Sequence, residues 1–276
     1  MQREIIKLIT AKEFCEEAFK FNYKHYCGVP CSFLTPFINY VISHKEISYI
    51  SSANEGDAVA TAAGVAIGSG RAIAMMQNSG LGNAISPLTS LTYTFKIPVL
   101  IICTHRGDPE LIDEPQHDLM GKITENLLNT INVKTSLFPR RSEDIIPTLL
   151  SIENHFLKTS LPFALIMKKG SVIQDAHNRL GTHFKSSYQK KEATNPPKSE
   201  NKNIRVSRKN VLRDLVMNSV TNEMIFLATT GFTGRELYEI DDKENFFYMV
   251  GSMGCVSSLA LGLAVAKPNL KILVLD

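Results

Sequence analysis

The chain has 276 residues, 44% of them hydrophobic and 21% charged, with a formal net charge of +3. That is the make-up of an ordinary soluble globular protein, long enough for two domains at about 150 residues each. The charge excess is too small, and its lysines too scattered, to argue for nucleic acid, and no apolar run approaches the roughly 20 residues that span a bilayer.

The start, Met1-Gln2-Arg3-Glu4, has no signal-peptide core, so the expected location is the cytoplasm. Thr10-Ala11-Lys12-Glu13 is a capping box that opens a helix with Phe14, Ala18 and Phe21 on one face, and Gly28-Val29-Pro30 closes that unit. Residues 47–50 read as a short buried strand. The next stretch, Ser51-Ser52-Ala53-Asn54-Glu55-Gly56-Asp57-Ala58, passes into a helix of small side chains suited to close packing on a sheet. Glu55 therefore stands at a strand-to-helix junction, where open α/β sheets bind ligands. The plainer alternative is that Asn54 caps the helix while Glu55 and Asp57 favour its positive end.

Further apolar runs at 72–76, 99–103 and 163–167 read as strands. Helical patterns lie around 58–69, 85–91, 123–132 and 143–156. Strands without polar alternation, separated by helices, predict a parallel sheet covered on both faces. From about 185 to 203 the chain turns polar and proline-containing, the composition of a linker. A second α/β pattern follows: a helix capped by Ser207 and running to 220, strands at 224–228, 246–250 and 271–275, and helices at 233–238 and 256–266. The fold class is thus α/β, two doubly wound parallel-sheet domains. The expected boundaries are a first domain at 1–175, a linker at 176–206 and a second domain at 207–276. An apolar strand immediately before Asp276, with no helix to cover it, predicts that this second domain is incomplete.

The five cysteines form no CxxC pair, and the seven histidines form no HExxH, so zinc is not expected. Four loops carry the chemistry. Gln77-Asn78-Ser79-Gly80-Leu81-Gly82-Asn83 formally begins a dinucleotide fingerprint, but it lies far from the domain start, and a tight turn showing Asn78 and Ser79 to a polar ligand is the better reading. After the strand at 99–103 come Arg106-Gly107-Asp108-Pro109 and Asp113-Glu114-Pro115-Gln116-His117. Arg106 is suited to hold an anion by paired hydrogen bonds, and His117 to move a proton or bind an anion. A solvated loop with internal ion pairs is the alternative. In the second domain, Thr229-Thr230-Gly231 and Gly251-Ser252-Met253-Gly254 each follow a strand and precede a helix. Hydroxyls and free N–H groups at a helix start make a phosphate seat, and two such junctions favour a diphosphate.

Taken with Gly28-Val29-Pro30-Cys31-Ser32 and Ala53-Asn54-Glu55-Gly56, these blocks resemble the thiamine-diphosphate-dependent 2-keto-acid decarboxylases. The resemblance implies a pyrimidine-binding domain first and a diphosphate-binding domain last. Glu55 would be catalytic, hydrogen-bonded to the ring nitrogen of the cofactor's aminopyrimidine. Thr229, Thr230, Gly231 and Ser252 would lie near the diphosphate, with Met253 propping the cofactor into a bent shape. Cys31, Ser32, Asn78, Arg106 and His117 are the candidates around the substrate; many relatives resemble one another in an acidic residue where Cys31 stands, so that position is also read as merely packed. The implied reaction is decarboxylation of 3-phosphonopyruvate to phosphonoacetaldehyde and CO2, a step of phosphonate biosynthesis. The alternatives are the same chemistry on sulfopyruvate and a degenerate, non-catalytic nucleotide-binding protein. The resemblance further implies Mg2+ with thiamine diphosphate, its ligands expected beyond Asp276 in a Gly-Asp-Gly motif that the chain stops short of. It also implies a homo-oligomer with the active site between subunits.

Overall fold

At Thr10 both halves of the capping box are formed: the Glu13 N–H donates to Thr10 Oγ1 (3.1 Å) and the Thr10 N–H to Glu13 Oε2 (2.7 Å). Helix α1 (Ala11–Lys20) therefore starts where the sequence places it, while Phe21 is its C-cap rather than part of its buried face. The computed structural model describes residues 8–173, 206–218 and 224–276. The linker expected at 176–206 lies outside the described residues apart from Val206, as do residues 219–220 of the helix expected to reach 220.

The first unit continues with β1 (Tyr23–Gly28), α2 (Thr35–Ser43), β2 (Ser48–Ser51), α3 (Glu55–Ile67), β3 (Arg71–Gln77), α4 (Leu81–Pro87) and α5 (Tyr93–Phe95). It closes with β4 (Leu100–His105), α6 (Asp118–Thr130), β5 (Lys134–Leu137), α7 (Ser142–Thr159) and β6 (Phe163–Lys168). The single helix expected at 85–91 is instead α4 followed by a π turn over Leu88–Thr92; Pro87, with no N–H to give, sits at the break. The sheet runs β2-β1-β3-β4-β6-β5, and every pair in it is parallel. Alternate residues of the central strands enter different cores. Ala74, Met76, Ile101 and Cys103 join the side covered by α3, α4 and α6, whereas Ile73, Met75, Leu100 and Ile102 join the side covered by α1, α2 and α7. Each such side chain is fully buried, worth about 1.5–3 kcal/mol for a large aliphatic one. Cys15, Cys27 and Cys103 are packed the same way, and burial pushes their thiols up to about 12, which leaves them inert.

The second unit comprises α8 (Arg208–Asn218), β7 (Met224–Ala228), α9 (Phe232–Ile240), β8 (Phe246–Tyr248), α10 (Val256–Ala266) and β9 (Lys271–Leu275), with parallel strand order β8-β7-β9. Helices α8 and α9 cover one face through Leu212, Val216 and Leu237. The other face carries α10, which packs on α3 of the first unit, so the two units share one core.

That contact is made almost without side chains. A Cβ on Gly64 would lie 2.0 Å from the Leu259 carbonyl oxygen, and one on Gly262 would lie 1.9 Å from the Thr61 carbonyl oxygen. Ser258 Oγ donates to Asp57 Oδ1 at the start of the pair (2.8 Å), and Gly68 meets Ala266 at its end. The two helices therefore run parallel, with both N-termini at one end of the molecule. Each follows a strand, so the C-terminal edges of both sheets face that same end. Ligands of open α/β sheets bind there, where the strand order reverses. The reversals fall between β1 and β3 in the first sheet and between β7 and β9 in the second.

Candidate active site

Glu55 is the first residue of α3 and only 8% exposed. Capping is done by its neighbours: Asn54 Oδ1 accepts from the Asp57 N–H (3.0 Å), and Asn54 Nδ2 donates to Asp57 Oδ2 (2.7 Å). Asn83 Nδ2, on α4, donates to Glu55 Oε2 (2.7 Å), while Oε1 has no hydrogen-bond partner among the described residues. Gly80 is what lets the carboxyl lie there. A Cβ at that position would stand 1.9 Å from Oε1, so the Gly80-x-Gly82 step serves the glutamate rather than a dinucleotide.

At the reversal between β1 and β3, Cys31 Sγ donates to Gln77 Oε1 (3.1 Å) and lies 3.8 Å from Thr104 Oγ1. Ser32, Phe33, Arg106, Ile112, Glu114 and Lys169 line a cavity of about 490 Å³ beside it. The Arg106 guanidinium is fixed on three sides. Its Nε donates to Asp113 Oδ2 (2.7 Å), its Nη2 reaches both Asp113 and Glu114, and its Cζ stands 5.1 Å from the Phe33 ring centre. Hydrogen bonding to Arg106 holds the Asp113 carboxyl well below the usual carboxylate range, and the same contact raises Arg106. His117 is 8% exposed; its Nε2 lies 3.6 Å from Glu114 Oε2, and its Nδ1 is buried without a hydrogen-bond partner. The loop thus carries the internal ion pairs of the plainer reading, and they stand beside a cavity.

Asn78 departs from the expectation that it faces a ligand. It is fully buried, and its Oδ1 accepts from the Arg106 N–H (3.1 Å) while its Nδ2 donates to the Arg106 carbonyl (2.8 Å) and Thr124 Oγ1 (3.0 Å). With both amide protons and its oxygen engaged, it positions the Arg106 backbone.

In the second unit the Thr229 N–H donates across the strand reversal to the Leu275 carbonyl (2.8 Å). Thr230, Gly231, Arg235, Tyr238 and Tyr248 line a cavity of about 350 Å³ at the start of α9. Gly231 has φ +89° and ψ −140°, a backbone state open essentially to glycine alone, which turns the chain into the helix without a side-chain cap. Met253 is 82% exposed. Ser252 departs from its expected place beside a diphosphate. Its Oγ is held by Ser90 Oγ (2.8 Å) and the Ser86 carbonyl (3.4 Å), so it clasps the two units together. The segment 81–92 therefore touches Glu55 through Asn83 and the 251–254 loop through Ser86 and Ser90, placing both around one end of the molecule. Sequence reasoning passed over Asn83, Gln77, Thr104 and Lys169 as contributors. The signal for the first two was their place in the polar loop after the strand; for Thr104 and Lys169 there was none beyond a strand end.

A family model described as "Thiamine pyrophosphate enzyme, N-terminal TPP binding domain" matches residues 13–126. The chain is 36% identical over 242 residues to phosphonopyruvate decarboxylase of Streptomyces viridochromogenes, covering 88% of this chain and 60% of that protein. It is 34% identical over 146 residues to sulfopyruvate decarboxylase subunit alpha of Methanocaldococcus jannaschii, covering 52% of this chain and 85% of that one. With sulfopyruvate decarboxylase subunit beta of Methanothermobacter thermautotrophicus it shares 44% identity over 57 residues, 21% of this chain and 30% of that one. The chain spans about 60% of the length of the Streptomyces relatives it matches.

Proposed function

This chain belongs to the thiamine pyrophosphate enzymes, among the phosphonopyruvate and sulfopyruvate decarboxylases, and from that premise we propose that it decarboxylates 3-phosphonopyruvate to phosphonoacetaldehyde and CO2. The observation that carries the reading is the buried Glu55, held by Asn83 on one oxygen and open on the other.

Thiamine diphosphate fits the residues present. Glu55 Oε1 offers a hydrogen-bonding position to a ring nitrogen, with the carboxyl held in place by the Asn83 donor on its other oxygen. Thr229, Thr230 and the free N–H groups at the start of α9 suit a diphosphate, and exposed Met253 stands ready to pack against the cofactor. When bound, thiamine diphosphate supplies the electron sink for loss of CO2 from a 2-keto acid. The chain's own part is to hold a proton at Glu55, keep that carboxyl oriented through Asn83, and bind the substrate's anionic end near Ser32, Arg106 and His117. Mg2+ belongs to the proposal as counter-ion to the diphosphate. The one group of three metal-capable side chains among the described residues, Asp113, Glu114 and His117, lies in the first unit with two of its carboxylates on Arg106, and does not fit that metal.

A homo-oligomer with its active site between subunits and a cytoplasmic location complete the proposal. The separately named alpha and beta subunits of the archaeal relatives support assembly, and no helix among the described residues is long and apolar enough to cross a membrane. The test is an assay with thiamine diphosphate and Mg2+ on phosphonopyruvate and sulfopyruvate in parallel. Phosphonoacetaldehyde should be the main product, and Glu55→Gln should lower turnover by about 10²–10⁴-fold with the fold intact by circular dichroism. A preference for sulfopyruvate overturns the substrate, and unchanged turnover in Glu55→Gln overturns the assigned role.

A further inference from the structure

Arg106 carries one positive charge and is met by two carboxylates that differ sharply in setting. The Asp113 side chain is 16% exposed; it takes the guanidinium's Nε and also accepts the Gly107 N–H (2.8 Å). It is part of the loop's framework. The Glu114 side chain is 58% exposed, and a single oxygen, Oε2, does all its binding: it touches Arg106 Nη2 and lies 3.6 Å from His117 Nε2. Arg106 and His117 are themselves largely buried, with side chains 14% and 10% exposed. A second carboxylate on an already paired guanidinium, reaching in from solvent, adds little.

We propose that Glu114 is a removable stand-in for the substrate's phosphonate. Its Oε2 occupies an anion seat formed by Arg106 Nη2 and His117 Nε2, and it must swing out before a phosphonate oxygen can take the same place. The seat opens on the cavity lined by Ser32 and Lys169, so a tetrahedral dianion entering it gains a hydroxyl and a second cation that a carboxylate on Glu114 does not use. Arg106 is kept in position throughout by Asp113 and the Phe33 ring, which is why only one of the two carboxylates is free to leave. The identity of the anion rests on the decarboxylase reading; the seat does not.

The experiment is calorimetric titration of the 276-residue chain with 3-phosphonopropionate, which carries the phosphonate and carboxylate but no keto group, without thiamine diphosphate. Glu114→Gln and Glu114→Ala should each bind it about tenfold more tightly than the unaltered chain, a gain of about 1.4 kcal/mol, and Arg106→Gln should lose it. In turnover, the Glu114 variants should lower KM for phosphonopyruvate with kcat held, a split that a merely structural glutamate does not give. Unchanged or weaker binding in both Glu114 variants overturns the proposal. Tighter binding without any decarboxylation upholds the seat while removing the enzyme reading; decarboxylation without tighter binding removes the seat alone.

Discussion

In the six-stranded unit the loop after β4 is held by charge: Arg106 on Asp113 and Glu114, Lys168 on Asp108 (2.9 Å), and a buried amide, Asn78, beneath them. In the three-stranded unit the loops after β7 and β8 are held by main-chain geometry and hydroxyls: Thr229 on the Leu275 carbonyl, Gly231 and Gly254 at φ +89° and +87°, Ser252 on Ser90. Under the proposed function, the difference would suit two kinds of ligand. A substrate told from its analogues by the charge on its tail calls for side chains that discriminate charge, whereas a diphosphate common to a whole family is met by backbone N–H groups.

Three further experiments would break or sharpen that contrast. The largest effect is expected at Asn78→Ala, which strands the Arg106 N–H and the Arg106 carbonyl; the loss should be roughly 3 kcal/mol in urea unfolding, together with weaker binding of anionic substrate. Next is acid. The folded pKa of Asp113 is depressed, so its stabilisation is complete above the unfolded value of about 3.9 and is lost as pH falls toward the folded one. The Gly107 amide, which donates to Asp113, should keep its nuclear magnetic resonance shift from pH 7 to pH 5 and move only below about pH 4, with Gly231 unaffected until global unfolding. The smallest effect is Gly231→Ala. Nothing lies within 4 Å of the added Cβ, so the cost is backbone strain alone, about 1–2 kcal/mol by thermal unfolding, without a pH dependence of its own. Equal responses to acid in both units would dissolve the distinction.

Much of the architecture was legible because buried parallel strands are written as unbroken apolar runs. Residues 72–76, 99–103 and 163–167 each fall within a residue or two of β3, β4 and β6, and β7, α10 and β9 match residue for residue. What escaped lies at polar or edge positions. β5 is Lys-Thr-Ser-Leu at the sheet edge, and β1 opens on Tyr-Lys-His, so neither presents the run that marks its neighbours. Helix α2 went unread between them, and the strand expected to reach 250 ends at Tyr248. At the site, Glu55 and the Arg106 loop were visible from residue type and place after a strand. The direction of Asn78 and Ser252 was not, because each is decided by a partner far along the chain: Arg106, 28 residues on, and Ser90, 162 residues back. Local sequence sets which groups reach a crevice, and tertiary contacts decide which of them turn away from it.

The glycine-lined seam between α3 and α10 has a thermodynamic consequence. Gly64, Gly262 and Ala266 have no rotamers to freeze, so bringing the halves together forfeits almost no side-chain entropy at the joint itself. Where main chain lies on main chain, at Gly64 and Gly262, there is little side-chain repacking by which the joint could slide. The strand-end loops of the two units are therefore fixed relative to one another within each chain before a ligand or a second copy arrives, and neither need spend affinity on aligning them.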